Sequence, residues 1–370
     1  MYNNIANEDW SILTNLLPKN WEASATETKS IKRVPKGFNG IQNVLRTILL
    51  HVGKGYSLAE TSVRIKESNI GTASAVGIMK ALRRSEEWLR LLCENMYEDI
   101  NKNIPSSPGG IKMRLIDGSI VKEPGKTGSQ WRVHYSISLP NLNCDHFSLL
   151  PVKGKGNGES LKQYPVAKGD CLIADRGYSR AEDIYYVDEH QGYSMIRLNT
   201  AALPLYQPDH NDKKFDLLSA VKSLSKPYDS KEFKVCVKIA NDKKTFGRIC
   251  VIKKSDKSIE IAVKKLKRNA KKKQITLKAE TIEFAKYVII FTTLPPELYD
   301  TNQVLEWYRV RWQIELVFKR LKSIAGLGHL PKYDDASSRS WLYAKLLIGL
   351  LANKLSEFAK TISPWGYCIS

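Results

Sequence analysis

No stretch of this sequence approaches the roughly 18 consecutive apolar residues that a membrane-spanning helix needs. The longest apolar run, Leu346 to Ala352, is interrupted by Gly349. The first residues (Met1, Tyr2, Asn3, Asn4) lack the basic-then-apolar pattern of a secretory leader. The six cysteines, Cys93, Cys144, Cys171, Cys236, Cys250 and Cys368, are scattered without a CxxC pair, which argues against a zinc ribbon or a disulfide framework. Cys144 and His146 are neighbours, but no second ligand pair accompanies them, so the thiols read as buried and reduced. Acidic residues are also in short supply: 38 Asp+Glu face 58 Lys+Arg, a net charge of +20. The expectation is a cytoplasmic protein without membrane contact whose charge favours a polyanionic partner, nucleic acid before a lipid surface.

What is present is ordinary in bulk. An apolar share of 42% and a charged share of 26% over 370 residues suit a folded chain of about two domains. Up to about residue 104 the pattern is helical. Ile41, Val44, Leu45, Ile48 and Leu49 recur on one helix face. Ser57 before Leu58-Ala59-Glu60 starts a second helix, Gly71 breaks it, and Ala75 to Cys93 continues in helical period with Arg83, Arg84 and Arg90 outward. Short basic helices around a Gly-containing turn suit a helix-turn-helix that binds DNA, and equally a plain helical bundle. Pro105 to Gly110 reads as a linker.

Strand signals follow. Met113–Val121, Trp131–Leu139 and Phe147–Val152 are three short runs of β-formers. Cys171–Ala174 is a fourth, a helix fits Ala181–His190, and a further strand fits Tyr193–Leu198. Strands that come first in series and then alternate with helices indicate one sheet with helices packed on it. Between 201 and 286 there are 22 Lys+Arg against 10 Asp+Glu, a net of +12. Phe233–Ile239, Phe246–Ile252, Ile259–Val263 and Gln274–Leu277 read there as strands of a basic, β-rich module. Lys264, Lys265, Lys267, Arg268, Lys271, Lys272 and Lys273 crowd one turn of it. In so basic a chain these lysines, Lys271, Lys272 and Lys273 above all, are candidates for phosphate contact rather than only a solvated loop.

The chemistry-bearing residues lie in three places. A long helix is expected from Val304 to Ile324, with a start signal at Asp300 and Gln303. At 100° per residue Tyr308, Arg311, Glu315 and Lys322 share one stripe, opposite Val310, Ile314, Val317 and Leu321. Such a stripe is by itself compatible with an ordinary polar surface. Two aspartates give it a different meaning: Asp117 follows Arg114-Leu115-Ile116 within the first strand, and Asp175 closes Leu172-Ile173-Ala174. Two strand-borne aspartates and a helix-borne glutamate offer hard oxygen ligands to a pair of Mg2+ ions, which activate an attacking oxygen and stabilise a leaving one in phosphodiester chemistry.

At these residues the chain resembles the cut-and-paste DDE transposases of bacterial insertion sequences that carry the YREK signature (insertion-sequence family four). Tyr308, Arg311, Glu315 and Lys322 match the signature spacing, and Ile116-Asp117-Gly118-Ser119 and Ala174-Asp175-Arg176-Gly177-Tyr178 resemble its two aspartate motifs. The likeness runs in order from about Met113 to Lys322. It implies an α/β fold: an RNase H-like mixed sheet flanked by helices, with an inserted β-rich module and an N-terminal all-α domain. The implied organisation is a helical DNA-binding domain over 1–104, a catalytic core over 111–199 and 287–370, and the basic insertion over 200–286.

The resemblance further implies Asp117, Asp175 and Glu315 as catalytic and metal-binding residues for two Mg2+ ions, with Mn2+ as a substitute. Tyr308, Arg311 and Lys322 would grip phosphates. The partners would be double-stranded DNA, at transposon ends and target, bound by a homodimer in a nucleoid-associated protein. The implied chemistry is a nick, a hairpin made by the freed 3′-hydroxyl, its reopening, and strand transfer. Relatives stack a flipped base on a tryptophan before the signature helix. This sequence has no tryptophan between Trp131 and Trp307. Tyr287, at the corresponding place on the strand Val288–Thr292, is the candidate platform, with a core tyrosine as the plainer alternative. Other functions that fit the residues are an RNase H-like nuclease or resolvase, and a non-catalytic protein that binds the element's ends.

Overall fold

The computed structural model describes residues 10–101, 108–122, 130–209, 213–239, 243–323, 326–327, 330 and 334–360. The linker expected over 105–110 lies outside the described residues up to 107, and Pro108–Gly110 form a 3-10 turn.

After a helical stretch over 10–15 come five helices: α1 (Trp21–Glu27), α2 (Ile41–Lys54), α3 (Leu58–Glu67), α4 (Ala75–Arg84) and α5 (Glu86–Asn101). Ser57 and Ser74 cap α3 and α4 by accepting the Glu60 and Gly77 N–H groups. The single helix expected over Ala75–Cys93 is two. At Ser85 the hydroxyl donates back to the Ala81 carbonyl and the N–H bonds to Leu82, an i−3 partner, which ends the first segment.

The strands β1 (Lys112–Lys122), β2 (Gln130–Ser138), β3 (Asn143–Pro151), β4 (Asp170–Ala174) and β5 (Tyr193–Arg197) lie where the sequence pattern places them, with α6 (Ala181–Glu189) before β5. Then follow α7 (Leu217–Lys222), β6 (Ser230–Lys238), β7 (Lys244–Lys253), α8 (Asp256–Lys273), α9 (Ala279–Phe284) and β8 (Tyr287–Thr292). All eight strands form one mixed sheet in the order β3-β2-β1-β4-β5-β8-β7-β6. β1, β4 and β5 are parallel, and the remaining pairs are antiparallel. A mixed sheet of this order, flanked by helices and preceded by a helical region, is consistent with the RNase H-like fold.

The insertion contributes two strands that extend this sheet beyond β8, and three helices. Ile259–Val263 and Gln274–Leu277 are not strands, and the lysine cluster is not a turn. Residues 256–273 are one helix, capped by Ser255 accepting from the Ser258 N–H. Alternating Ile259, Ile261 and Val263 suggest a strand, but Lys257, Lys264, Arg268 and Lys271 recur at helical spacing and are good helix formers.

The signature segment also differs from expectation. It is α10 (Thr301–Arg309) and α11 (Trp312–Ser323), separated at Val310–Arg311. Across the break, Val310, Arg311, Gln313 and Ile314 donate to carbonyls three residues back instead of four. Asp300 and Gln303 do form a reciprocal capping box at the start of α10. The last helix is α12 (Asp335–Lys360).

Alternation along the strands produces two cores. Met113, Leu115, Cys171, Ile173 and Met195 face the helices on one side, together with Val304, Tyr308, Ile314 and Phe318. Ile116, Leu172, Ala174 and Ile196 face the other side with Tyr164, Tyr178 and Ile184. The N-terminal helices join the first core. α12 packs against α2, α4 and α5, with Arg83 to Asp334 at 2.9 Å and Arg339 to Glu86 at 2.6 Å as flanking ion pairs. No helix among the described residues is long and apolar enough to cross a membrane.

Candidate active site

The parallel ladder between β1 and β4 pairs Arg114 with Leu172 and Leu115 with Ile173. Carried two steps further, that register puts Asp117 beside Asp175, on strands about 4.8 Å apart. The β4–β5 ladder pairs Ala174 with Ile196, and its next step sets Asp175 beside Arg197. By strand alternation Asp117, Asp175 and Arg197 share a side with Leu115, Ile173 and Met195, the side covered by α10 and α11. Two acids and a guanidinium thus form a row across three adjacent parallel strands, at the rim where β4 and β5 end and β1 runs on.

Backbone groups orient the acids. The Gly118 N–H donates to Asp117 Oδ1 and the Gly177 N–H to Asp175 Oδ1, both at 2.8 Å. Burial pushes the Asp117 carboxyl up to about 7, and the neighbouring charges of Asp175 and Glu159 add to the rise. The Gly118 N–H and Arg311 oppose it.

Arg311, at the break between α10 and α11, interacts with acids on both strands and helix. Its guanidinium donates to the Glu315 carboxylate, and its charge acts on Asp117 and Asp175. The Glu315 side chain is 58% exposed. Among the described residues no group of three or more His, Cys, Asp or Glu is drawn together as a metal cluster. Glu315 is engaged with Arg311 instead of completing a set with the aspartates. The aspartate pair itself fits a hard divalent cation: oxygen donors only, side by side, each carboxylate steered by one N–H.

A cavity of about 580 Å3 opens beside the acids, lined by Asp175, Arg176, Arg197, Lys254, Tyr308 and Arg311 among others, with α8 as one wall. Its cations crowd one another. Burial and the Arg197 charge hold Arg176 below its ordinary value. Burial, Arg197 and Arg176 bring Lys254 down to about 8. Arg197 Nε and Tyr308 Oη are buried without a hydrogen-bond partner. Burial also moves the Tyr308 phenol up to about 12. Lys254 Nζ donates to the Ala285 carbonyl. This concentration of cations, with two donors left unpartnered, suits a multiply charged anion.

Residues 155–351, more than half the chain, match the transposase DDE domain family. The chain belongs to that family. It is 26% identical over 369 residues to InsL of insertion sequence element IS186A from Escherichia coli (strain K12), covering 98% of this chain and 97% of that protein. The transposase for insertion sequence element IS421 from Escherichia coli is 26% identical over 370 residues, with the same two coverages. The transposase for IS231B from Bacillus thuringiensis subsp. berliner is 27% identical over 262 residues, 64% of this chain and 54% of its own. Family membership makes this protein a transposase, an enzyme of a class that uses divalent metal.

Not every expected site residue of the transposase lies at the rim. Asp117, Asp175, Tyr308 and Arg311 meet there, and Glu315 is tied in through Arg311. Lys322 is exposed in the last turn of α11, about 10 Å along the helix axis from Glu315. Tyr287 is 3% exposed in the second core, its hydroxyl donating to Glu283 Oε1 at 3.3 Å. It is a core tyrosine, and its ring offers no free face to a base. Lys271, Lys272 and Lys273 are exposed at the end of α8.

Sequence reading missed Arg176, Arg197, Lys254 and Glu159. Arg176 stood inside the second aspartate motif and only the aspartate was used. Arg197 and Lys254 carry no local signal, because their place at the site comes from strand register and from the insertion folding back.

Proposed function

We propose that this transposase cuts and joins insertion-sequence DNA with Asp117, Asp175 and Glu315 as its three acids. The observation that carries this is the register that sets Asp117 beside Asp175, with Arg311 tied to Glu315 at the same rim. Two Mg2+ ions, or Mn2+ in their place, held by these acids would supply activation of a water or 3′-hydroxyl and stabilisation of the leaving oxygen.

The side chains do the rest. Arg311 exchanges Glu315 for a DNA phosphate, to which its planar fork is better matched in charge and geometry. The released Glu315 turns toward the aspartates. Arg176, Arg197 and Lys254 receive phosphates of the bound strand in the cavity, and the Tyr308 hydroxyl donates to one of them. Lys322 extends the grip along the backbone. Stacking of a displaced base during hairpin formation falls to Trp312 rather than Tyr287. Trp312 adjoins Arg311 and is 51% exposed. The relatives named for insertion-sequence elements support DNA at element ends as the partner. Joining two ends requires two active sites, which a homodimer on DNA provides.

The test is a denaturing gel of DNA carrying the sequences that flank this protein's gene, with protein and Mg2+. Nicks followed by hairpins are expected, with nicks but few hairpins from Trp312→Ala. Cleavage of wild type without hairpins would point to a resolvase-like nuclease, and shifted but uncut DNA to an end-binding protein. Lys271, Lys272 and Lys273, as backbone contacts, make binding more salt-dependent. Replacing all three with Gln should flatten the slope of log affinity against log salt by about 0.9 for each true contact. An unchanged slope removes them from the interface.

A further inference from the structure

The search of the remaining molecule leads to a fourth carboxylate behind the aspartates. Glu159 opens a segment that is pinned at both ends. Ser160 Oγ donates to Asp183 Oδ1 at 2.9 Å, and the Leu161 N–H to Asp183 Oδ2 at 3.1 Å. A few residues on, the Tyr164 hydroxyl donates to the Asp117 carbonyl at 2.8 Å. The Glu159 side chain pairs with Arg132 through Oε1 at 2.9 Å.

Its surroundings include two glycines, Gly118 one residue after Asp117 and Gly177 two after Asp175. A Cβ on Gly177 would lie 2.3 Å from Glu159 Oε2 and 3.1 Å from Asp175 Oδ1, and one on Gly118 would lie 3.6 Å from Glu159 Cγ. Neither glycine has a left-handed φ, so what they provide is room. These are the same two residues whose N–H groups hold Asp117 Oδ1 and Asp175 Oδ1. The missing side chains let one carboxylate sit against both oxygen-fixing turns at once.

Resting on the reading of Asp117 and Asp175 as the metal-binding pair, we propose that Glu159 is a positioning residue of that centre. It braces the Gly118 and Gly177 turns, and its charge adds to the negative field that draws divalent cations to the aspartates. Arg132 holds its orientation and limits the repulsion when no cation is bound.

Glu159→Gln keeps the shape and the acceptor for Arg132 while removing the charge. The readout is Mn2+ binding to the DNA-free protein by titration calorimetry, with thermal melting as the control for folding. The expected result is an affinity about 10- to 100-fold weaker, melting unchanged, and cleavage recovered at raised Mg2+. Gly177→Ala, which puts a methyl where the Glu159 oxygen sits, should weaken Mn2+ binding in the wild-type background. Once Glu159 is Ala only the 3.1 Å approach to Asp175 Oδ1 remains, so its further effect should be smaller, a non-additive cycle. Wild-type Mn2+ affinity in Glu159→Gln, or full additivity in the cycle, overturns the proposal. Asp175→Asn separates this from failure of the underlying reading. If Asp175→Asn also binds Mn2+ as wild type, the aspartates are not the site. If it alone loses binding, only the role of Glu159 falls.

Discussion

Asp117→Asn is expected to yield a transposase that is more stable than wild type at pH 8 and inactive in strand cleavage. The folded carboxyl keeps its proton up to about pH 7, against an ordinary value of 3.8. The folded state therefore binds more protons between these values. Stability contributed by the protonated acid is full below the unfolded value and is lost as pH rises through about 7. Ionising this half-buried group thus costs at most about 4 kcal/mol, less whatever water at its exposed edge relieves. Asn removes that cost while still accepting from the Gly118 N–H. Thermal melts of the metal-free protein should show a gain of several degrees at pH 8 and almost none at pH 4. A gain of equal size at both pH values would mean that the charge is not its source. Cleavage should fall by three orders of magnitude or more, since each 1.36 kcal/mol of lost transition-state stabilisation is tenfold in rate.

Arg197→Ala is expected to separate binding from folding. Arg197 Nε has no partner in the free protein, and its charge pushes down the values of Arg176 and Lys254. Its removal should leave melting unchanged or slightly raised. A charged hydrogen bond to phosphate contributes about 1.5–3 kcal/mol, so DNA-end affinity should drop about 10- to 100-fold, with a shallower salt slope. Fluorescence anisotropy on a labelled end checks this. Unchanged affinity at unchanged stability would place the strand outside the cavity.

Much of this was legible from residue patterns because the signals are local. Apolar runs with turn residues between them marked β1 to β5. Asp175 stood out as an acid closing an apolar strand, and Asp117 as one set within another, poor places for a charge with no task. Where tertiary structure decides, the reading failed. The alternation of Ile259, Ile261 and Val263 imitates a strand, yet the helix wins because its charged face stays in water. A uniform 100° per residue hid the i−3 turns at Val310–Arg311, and with them the burial of Tyr308 and the exposure of Glu315. Tyr287 had the right sequence position for a platform, but its ring fills the second core. Arg197 and Glu159 reach the site only through register and through a pinned return of the chain, which no spacing rule reports.

The most direct test of the central claim compares wild type with Glu315→Gln on the same element-end DNA. Single-turnover nicking in Mg2+ would be measured at DNA concentrations that saturate both proteins. The expected result is equal occupancy with nicking and hairpins lost in Glu315→Gln, because the substitution removes an acid while Arg311 still grips phosphate. Nicking by Glu315→Gln at the wild-type rate would contradict the assignment of the three acids.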